Sequence, residues 1–424
     1  MENRLEAIFE NPNRITRADI IVGMPSYNEA DYIPFVTKMA DQGLLKYFPG
    51  KRPLIINVDN HSPDGTKYAF LNTSTTVPKV YISSPAGVRG KGNNLRNLFR
   101  AACELHAEAV VVVDADLTSI TPQWIQYLGE PLFSGFDYVA PIYDRHKYDA
   151  SITNHFCYPM IRTLFGPRIR QPIGGDFGFS GKLAKAYWAE GLWSEQAGGY
   201  GIDVWMTTIA VAKKFPVCQT FLGAPKSHRV KDPAHHLKNM FKQVIWTLFD
   251  LIQALEHCWQ DTGRSYPTPI FGFGLGENEK PPVPSLDTGH LYETFVNGYD
   301  RHHSDWKKII SEDNLKEIRK AKKQPKDQVY YSSQIWCRTL FDLASAYRDG
   351  IMPQKQLVDS LVPLYYSRML CFYNKMEAVD TKECEDYIEN INRVFEGEKD
   401  YFLSRWHTKK TRGTIDTRHE NNQN

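Results

Sequence analysis

Short apolar runs alternate with helically spaced stretches through the first half of the chain. Ala18–Val22 (ADIIV), Pro53–Val58 (PLIINV), Lys79–Ile82 (KVYI) and Ala109–Val113 (AVVVV) are continuous in their apolar residues rather than alternating. That pattern predicts strands of a parallel sheet whose two faces are covered by helices. Stretches such as Ile33–Gln42 and Asn93–His106 supply those helices, and a βαβ series of this kind predicts an α/β domain. From about His235 the character changes. His235–Cys258 reads as one helix, with Leu237, Met240, Phe241, Val244, Ile245 and Leu248 at helical spacing. A loop or linker rich in proline and glycine, Gly263–Gly289, follows. Beyond it Tyr292–Val296, Trp306–Lys323, Ser333–Arg348, Gln354–Asn374 and Glu383–Phe395 all read as helices. The expected organisation is an α/β domain over 1–235, a mostly helical region over 236–406, and a polar, aperiodic tail over 407–424, expected to be disordered.

Composition narrows the picture. A length of 424 residues suits two or three domains, and 42% hydrophobic with 24% charged residues is ordinary globular usage. Lys+Arg 51 against Asp+Glu 49 leaves +2, spread along the chain, which argues against a nucleic-acid or membrane-surface binder. No stretch is apolar over the ~18–20 residues a membrane span needs. Seven cysteines without a CxxC pair, and a charged start (Met1, Glu2, Asn3, Arg4), predict reduced thiols in a cytoplasmic protein.

Candidate chemistry centres on Asp114-Ala115-Asp116, directly after an apolar run. Ligands of open parallel sheets bind beyond the carboxyl ends of the strands. Two carboxylates two residues apart on extended chain point the same way and call for a cation between them, Mg²⁺ or Mn²⁺ with a diphosphate. A solvated turn is the plainer alternative. Arg145, Asp149 and Thr153, if helical, share one face; the guanidinium suits a carboxylate and the other two suit hydroxyls. Spacing alone favours a surface ion pair there. Gly174 and Gly175, in Gln171-Pro172-Ile173-Gly174-Gly175-Asp176, permit close approach of backbone to ligand, or simply a tight turn. Asp203, in Gly201-Ile202-Asp203, reads locally as a helix N-cap. His228, in Lys226-Ser227-His228-Arg229, offers an imidazole to a metal begun by carboxylates, although a lone histidine is usually none. Arg89-Gly90-Lys91-Gly92-Asn93-Asn94 opens a helix whose N–H groups and lysine suit phosphates, a solvated basic turn being about as plain a reading. The aromatic residues Trp336, Phe341, Tyr365, Tyr366 and Phe372 are most simply packing.

Taken in order, these strings resemble a nucleotide-sugar glycosyltransferase of the GT-A (Rossmann-like) fold. Gly23-Met24-Pro25-Ser26-Tyr27-Asn28-Glu29 is similar to that group's opening strand and loop, and Asn57–Thr66 to its nucleoside loop. The strings around Lys91, Asp114, Arg145, Gly174, Asp203 and His228 are similar to the retaining enzymes that make glucosylglycerate, mannosylglycerate and glucosyl-3-phosphoglycerate, over roughly residues 20–235. The resemblance implies transfer of a hexose, with glucose favoured, from a GDP-, UDP- or ADP-sugar to glycerate or 3-phosphoglycerate, forming a compatible solute. It also implies site roles. Pro25, Tyr27, Glu29, Asp59, Lys91, Asp114, Gly174 and Gly175 would hold the donor. Arg145, Asp149 and Thr153 would hold the acceptor, Asp116 and His228 a divalent Mg²⁺ or Mn²⁺, and Asp203 would act at the reacting carbon. By fold analogy the helical region covers the acceptor site and supports a homodimer or larger homo-oligomer. No nucleic-acid or membrane partner is expected.

Overall fold

The computed structural model describes residues 8–223, 225–227, 233–272, 281, 283–284 and 286–408, the side chains of 233–236 excepted. It divides into two compact units, Met1–Ser285 and Leu286–Asn424. The expected boundary at 235 is therefore displaced. The helix beginning at Pro233 packs on the helix Ile202–Ala212 and belongs to the first unit, and the division falls inside the proline-rich stretch. From residue 409 the expected disordered tail lies outside the described residues.

The first unit contains strands β1 (Ile8–Glu10), β2 (Ile20–Ser26), β3 (Pro53–Asp59), β4 (Lys79–Ser83), β5 (Ala109–Val112), β6 (Tyr138–Ile142), β7 (Pro167–Arg168), β8 (Phe177–Ser180), β9 (Val217–Phe221) and β10 (Tyr266–Pro267). Eight of them form a mixed sheet in the order β1-β4-β3-β2-β5-β8-β6-β9, while β7 and β10 pair separately. Its helices are α1 (Ile33–Tyr47), α2 (Thr66–Asn72), α3 (Lys91–Glu104), α4 (Pro122–Phe133), α5 (Tyr158–Phe165), α6 (Gly181–Trp188), α7 (Ile202–Ala212), α8 (Pro233–Ala254) and α9 (Glu256–Trp259). The fold is thus α/β and Rossmann-like, as expected. The four runs that read as parallel strands are β2 to β5, which pair in parallel with Ile20, Ile21, Val22, Ile55, Ile56, Val110 and Val111 closed to solvent on both faces. Strands β6, β8 and β9 escape the sequence pattern. They are four or five residues long and interrupted by Pro141, Gly178 or the polar Gln219, too short and too broken for a period to register. The helix expected over 235–258 is broken at Leu255.

Register explains how distant residues meet. Ser26 lies opposite Asp59, and Asp59 opposite Ser83, so the parallel strands end at one edge of the sheet. Strand β8 runs antiparallel to β5 with Phe177 opposite Val112, so its first residues start at that same edge. Strand β9 is parallel to β6 with Phe221 opposite Ile142, and the chain leaving it arrives there too.

The second unit holds α10 (Thr288–Ile309), α11 (Glu312–Lys322), α12 (Ser333–Asp349), α13 (Gln354–Met376), α14 (Thr381–Gly397) and α15 (Lys399–His407). The single helix expected over Trp306–Lys323 is interrupted at Ile310 and Ser311, where the Ser311 N–H donates to Asp342 over 2.9 Å. The aromatics Trp336, Phe341, Tyr365, Tyr366 and Phe372 are all buried, as packing requires.

Candidate active site

At the common strand edge, two lysines and three carboxylates form a continuous chain of ion pairs, Asp203–Lys91–Asp114–Lys226–Asp176. Lys91 opens α3, and its Nζ lies 2.8 Å from Asp114 Oδ1 and 3.3 Å from Asp203 Oδ1, and donates to the Gly175 carbonyl over 3.2 Å. Lys226 follows β9, and its Nζ donates to Asp114 Oδ2 (2.7 Å), Asp176 Oδ2 (2.8 Å) and the Gly174 carbonyl (3.0 Å). Asp176 is fully buried. It accepts the Asp114 N–H over 2.8 Å and a short hydrogen bond from the Tyr143 hydroxyl. The cage has −3 from carboxylates against +2 from ammoniums, so each charge is set by its neighbours. Burial pushes the Asp114 carboxyl up, but the two ammoniums outweigh it and hold its pKa well below the usual range. Burial lowers Lys91 and Lys226, yet the facing carboxylates leave both above the ordinary lysine value. Asp203 goes the other way: burial, helped by repulsion from Asp114, raises it despite Lys91 and Lys226.

This corrects the expected pairing of the two motif carboxylates. The chain turns at Ala115–Asp116 instead of staying extended, and the cations facing Asp114 are lysines. Asp116 is buried in that turn. The Thr118 N–H, two residues on, donates to the Ser227 carbonyl over 3.0 Å, and the Ser227 N–H to Ser119 Oγ over 2.9 Å. His228, the other expected metal ligand, lies outside the described residues. Among the described residues no group of three or more His, Cys, Asp or Glu side chains converges as a metal site.

Glycines make the cage possible. Gly175 has φ +90°, and a Cβ there would stand 2.4 Å from Lys226 Nζ and 2.6 Å from Asp114 Oδ2, so any side chain displaces the ion pair. At Gly92 a Cβ would lie 1.9 Å from the Ala197 carbonyl oxygen, because the loop before α7 rests on the start of α3. The Gly92 and Asn93 N–H groups donate to the Gly199 and Gly198 carbonyls over 3.0 and 2.9 Å. These amides are therefore not the phosphate cradle that the sequence suggests; they dock the loop that carries Asp203 next to Lys91. Asp203 itself is not a helix cap. The cap position of α7 is Gly201, and Asp203 sits in the first turn facing Lys91.

A second cluster lies where β2 and β3 end. Asp59 is buried and accepts from Ser26 Oγ (2.7 Å), the Ser62 N–H (2.7 Å), Ser62 Oγ (2.6 Å) and the Tyr81 hydroxyl (2.9 Å). The loop after β2 is tied to the loop after β3: the Asn28 N–H donates to Ser62 Oγ and the Glu29 N–H to Thr66 Oγ1, each over 2.9 Å. Pro25 is paired within β2, and the Tyr27 ring lies under the Arg89 guanidinium at 5.1 Å. Glu29 is buried.

The expected acceptor group is only partly on a helix. Residues 145–150 are irregular, with Ala150 at φ +54°, and Thr153 begins a π-helical turn (Thr153–Cys157). One helix face therefore does not carry all three. Arg145 still reaches Asp149 at 2.7 Å and Gln171 Oε1 at 3.2 Å, and its guanidinium lies 5.1 Å from the centre of the Tyr143 ring. Tyr143 thus touches both Arg145 and, through Asp176, the cage. Sequence reasoning passed over Asp176, Tyr143 and Lys226. The first and last lie inside strings that were singled out for their neighbours; Tyr143 carries no motif signal.

Residues 72–248 match the glycosyltransferase domain of mannosylglycerate synthase. That segment holds Lys91, Asp114, Asp116, Arg145, Gly175, Asp176, Asp203 and Lys226 together. The resemblance to GT-A glycosyltransferases of this family thus stands on a family model as well as on the ordered strings. Mannosylglycerate synthase from Rhodothermus marinus is 27% identical over 177 residues, 40% of this chain and 42% of the relative, so the chain spans less than half of that relative's length. Among solved structures, glucosyl-3-phosphoglycerate synthase from Mycobacterium tuberculosis, in complex with Mn²⁺, UDP and phosphoglyceric acid, is 23% identical. It covers 58% of this chain and 81% of that chain, with a TM-score of 0.43. A second structure of that enzyme, with Mg²⁺ and UDP, is 23% identical over 55% of this chain and 79% of that chain, again with a TM-score of 0.43.

Proposed function

We propose that this chain is a metal-dependent, retaining glycosyltransferase that moves a hexose, glucose in preference to mannose, from a nucleotide sugar to D-glycerate. The supporting observation is the Lys91 bridge between Asp114, just past β5, and Asp203, at the start of α7, within the segment that matches the family model. Such a bridge fixes a cation and two carboxylates of opposite pKa tendency at the ligand-binding edge of the sheet.

In this reading Asp59, Glu29, Pro25, Tyr27, Gly174 and Gly175 shape the donor site and Lys91 faces the diphosphate. Two carboxylates fix the Lys91 ammonium at that edge, so a positive charge is in place where negative charge develops. Asp203, raised by burial, orients a hydroxyl of the sugar or acceptor at the reacting carbon. Arg145 exchanges Asp149 for the carboxylate of the acceptor, while Asp149 and Thr153 take its hydroxyls. We favour attack on the face the leaving group departs from, with the leaving phosphate accepting the acceptor's proton. Asp114 is neutralised by two lysines, so the carboxylate assigned to a divalent cation is Asp116, with His228; hard oxygen and imidazole donors suit Mg²⁺ or Mn²⁺ alongside diphosphate oxygens. When bound, the cation offsets charge on the departing diphosphate. Seven free thiols support a cytoplasmic setting.

The family match favours a second donor, a mannosyl nucleotide. Mass spectrometry of products tests both, crossing UDP-, ADP- and GDP-glucose and GDP-mannose with D-glycerate and 3-phosphoglycerate in the presence of Mn²⁺. A glucosylglycerate mass is expected. A mannosylglycerate or phosphorylated product would replace the donor or acceptor named here. Donor hydrolysis without product would remove glycerate as acceptor, and neither product nor hydrolysis would leave a nucleotide-binding module.

A further inference from the structure

Among the described residues, the helical unit contains a buried cation with no counter-charge. Arg368, in the middle of α13, is closed to solvent. Its Nη2 donates to Ser333 Oγ over 3.1 Å, and its Nε and Nη1 meet no acceptor. Among the described residues no carboxylate is paired with it. The titratable groups that interact with it are neutral: burial raises the Tyr330 phenol, drives the Tyr331 phenol well above its ordinary value and pushes the Cys371 thiol up to about 12, despite the guanidinium, so none supplies a negative charge near neutral pH. Tyr331 is in any case engaged with Ser367 Oγ at 2.8 Å. The Tyr387 hydroxyl lies 3.4 Å from Ser333 Oγ, another neutral polar group on the same atom.

The position makes the missing charge more costly. Ser333 is the first residue of α12, a helix of 17 residues whose N-terminal end carries partial positive charge. Among the described residues, the side-chain cap of its first turn is Ser332 Oγ, which accepts from the Ile335 N–H over 3.3 Å. A guanidinium aimed at that end adds positive to positive. An uncompensated buried charge is expensive, and arginine does not deprotonate to relieve it. A small anion between the α12 terminus and the free guanidinium nitrogens satisfies both.

We propose that Arg368 and the start of α12 form an internal site for a small inorganic anion. It has no part in glycosyl transfer as described above and does not depend on that assignment. The site is enclosed, so occupancy is coupled to folding and reads out as stability.

Thermal unfolding of the full chain tests this at constant ionic strength, with gluconate exchanged for chloride. The wild type is expected to gain roughly 2–4 °C in Tm as chloride saturates the site. Arg368→Met is expected to lose that dependence, and in gluconate to unfold no earlier than the wild type, because the uncompensated charge is gone. An equal chloride response in both proteins, or none in the wild type, would overturn the proposal. If Arg368→Met does not fold, a crystal of the wild type grown with bromide decides the matter. An anomalous peak within contact of Arg368 Nε or Nη1 supports the site, and a water molecule in that place overturns it.

Discussion

Two ion-paired acidic residues, one in each unit, show how differently a carboxylate can be used. Asp342 in α12 has no exposed side-chain surface. Its Oδ1 accepts from Arg405 Nε and from the Tyr401 hydroxyl, each over 2.7 Å, and its Oδ2 from the Ser311 N–H over 2.9 Å. Every partner is a donor fixed by a helix or helix end, and the result ties α15 and the start of α11 to α12. Asp114 in the first unit is held as tightly, but its side chain is 23% exposed and its two ammonium partners are each shared with a further carboxylate. Glycine at 175 keeps the space beside it clear of any side chain. The carboxylate that joins elements is saturated and sealed, whereas Asp114 shares its counter-charges with other carboxylates and keeps an open side.

The sharpest way to break this contrast is to remove one member of each set. Lys91→Met is expected to lower transfer by about 10²–10³-fold, the range for losing one preorganised charge donor, with unfolding changed little because Asp114 keeps Lys226. If activity persists while stability collapses, the cage is structural after all. Asp342→Ala is expected to reverse that signature. Stability falls by about 2–4 kcal/mol, since Arg405 and the Ser311 amide lose their acceptor, while the turnover of folded protein is unchanged. Chemical denaturation with an active-fraction assay separates the two.

A smaller effect sharpens the role of glycine. Gly175→Ala is expected to cost roughly 10-fold in activity, because the new Cβ pushes Lys226 from Asp114 and misplaces charge beside the donor; kcat should change more than KM. The pH dependence of stability tests the charge assignment itself. Unfolded Asp114 takes a proton near its ordinary value of 3.8, whereas the folded carboxyl resists it, so the unfolded state binds more protons there and stability falls as pH drops below 3.8. Acid unfolding of Asp114→Asn should lack that part of the slope. A slope identical to wild type would remove the lysine pairing from the account. At the bottom of the scale, Arg100→Ala breaks an exposed i,i+4 pair with Glu104 and should shift stability by no more than about 0.5 kcal/mol.

What was legible in the sequence follows the same division. Strands β2 to β5 announce themselves because both faces are buried and each carries an unbroken apolar run. Strands β6, β8 and β9 do not, since four or five residues broken by Pro141, Gly178 or Gln219 carry no period. Lys91, Asp114, Asp203 and Arg145 were visible as residues, but their company was not. The antiparallel entry of β8 puts Asp176 beside Asp114, 62 residues away in the chain, and the exit of β9 brings Lys226 112 residues back to it. Local spacing sees neither. At the start of α3, which local reading leaves open between a phosphate site and a basic turn, the amides dock the loop bearing Asp203. At Asp114 the company was just as hidden: two lysines, one opening α3 and one following β9, face the carboxylate from parts of the chain that local spacing does not connect.

The most direct test is the rate of hexose transfer to glycerate by wild type and Asp203→Asn, measured by product mass and compared at equal folded fraction. The account predicts product from the wild type and a loss of about 10²-fold or more in the variant, whose Tm stays near that of the wild type. Equal rates for the two proteins would contradict it, because the residue that Lys91 joins to Asp114 would then have no part in the chemistry.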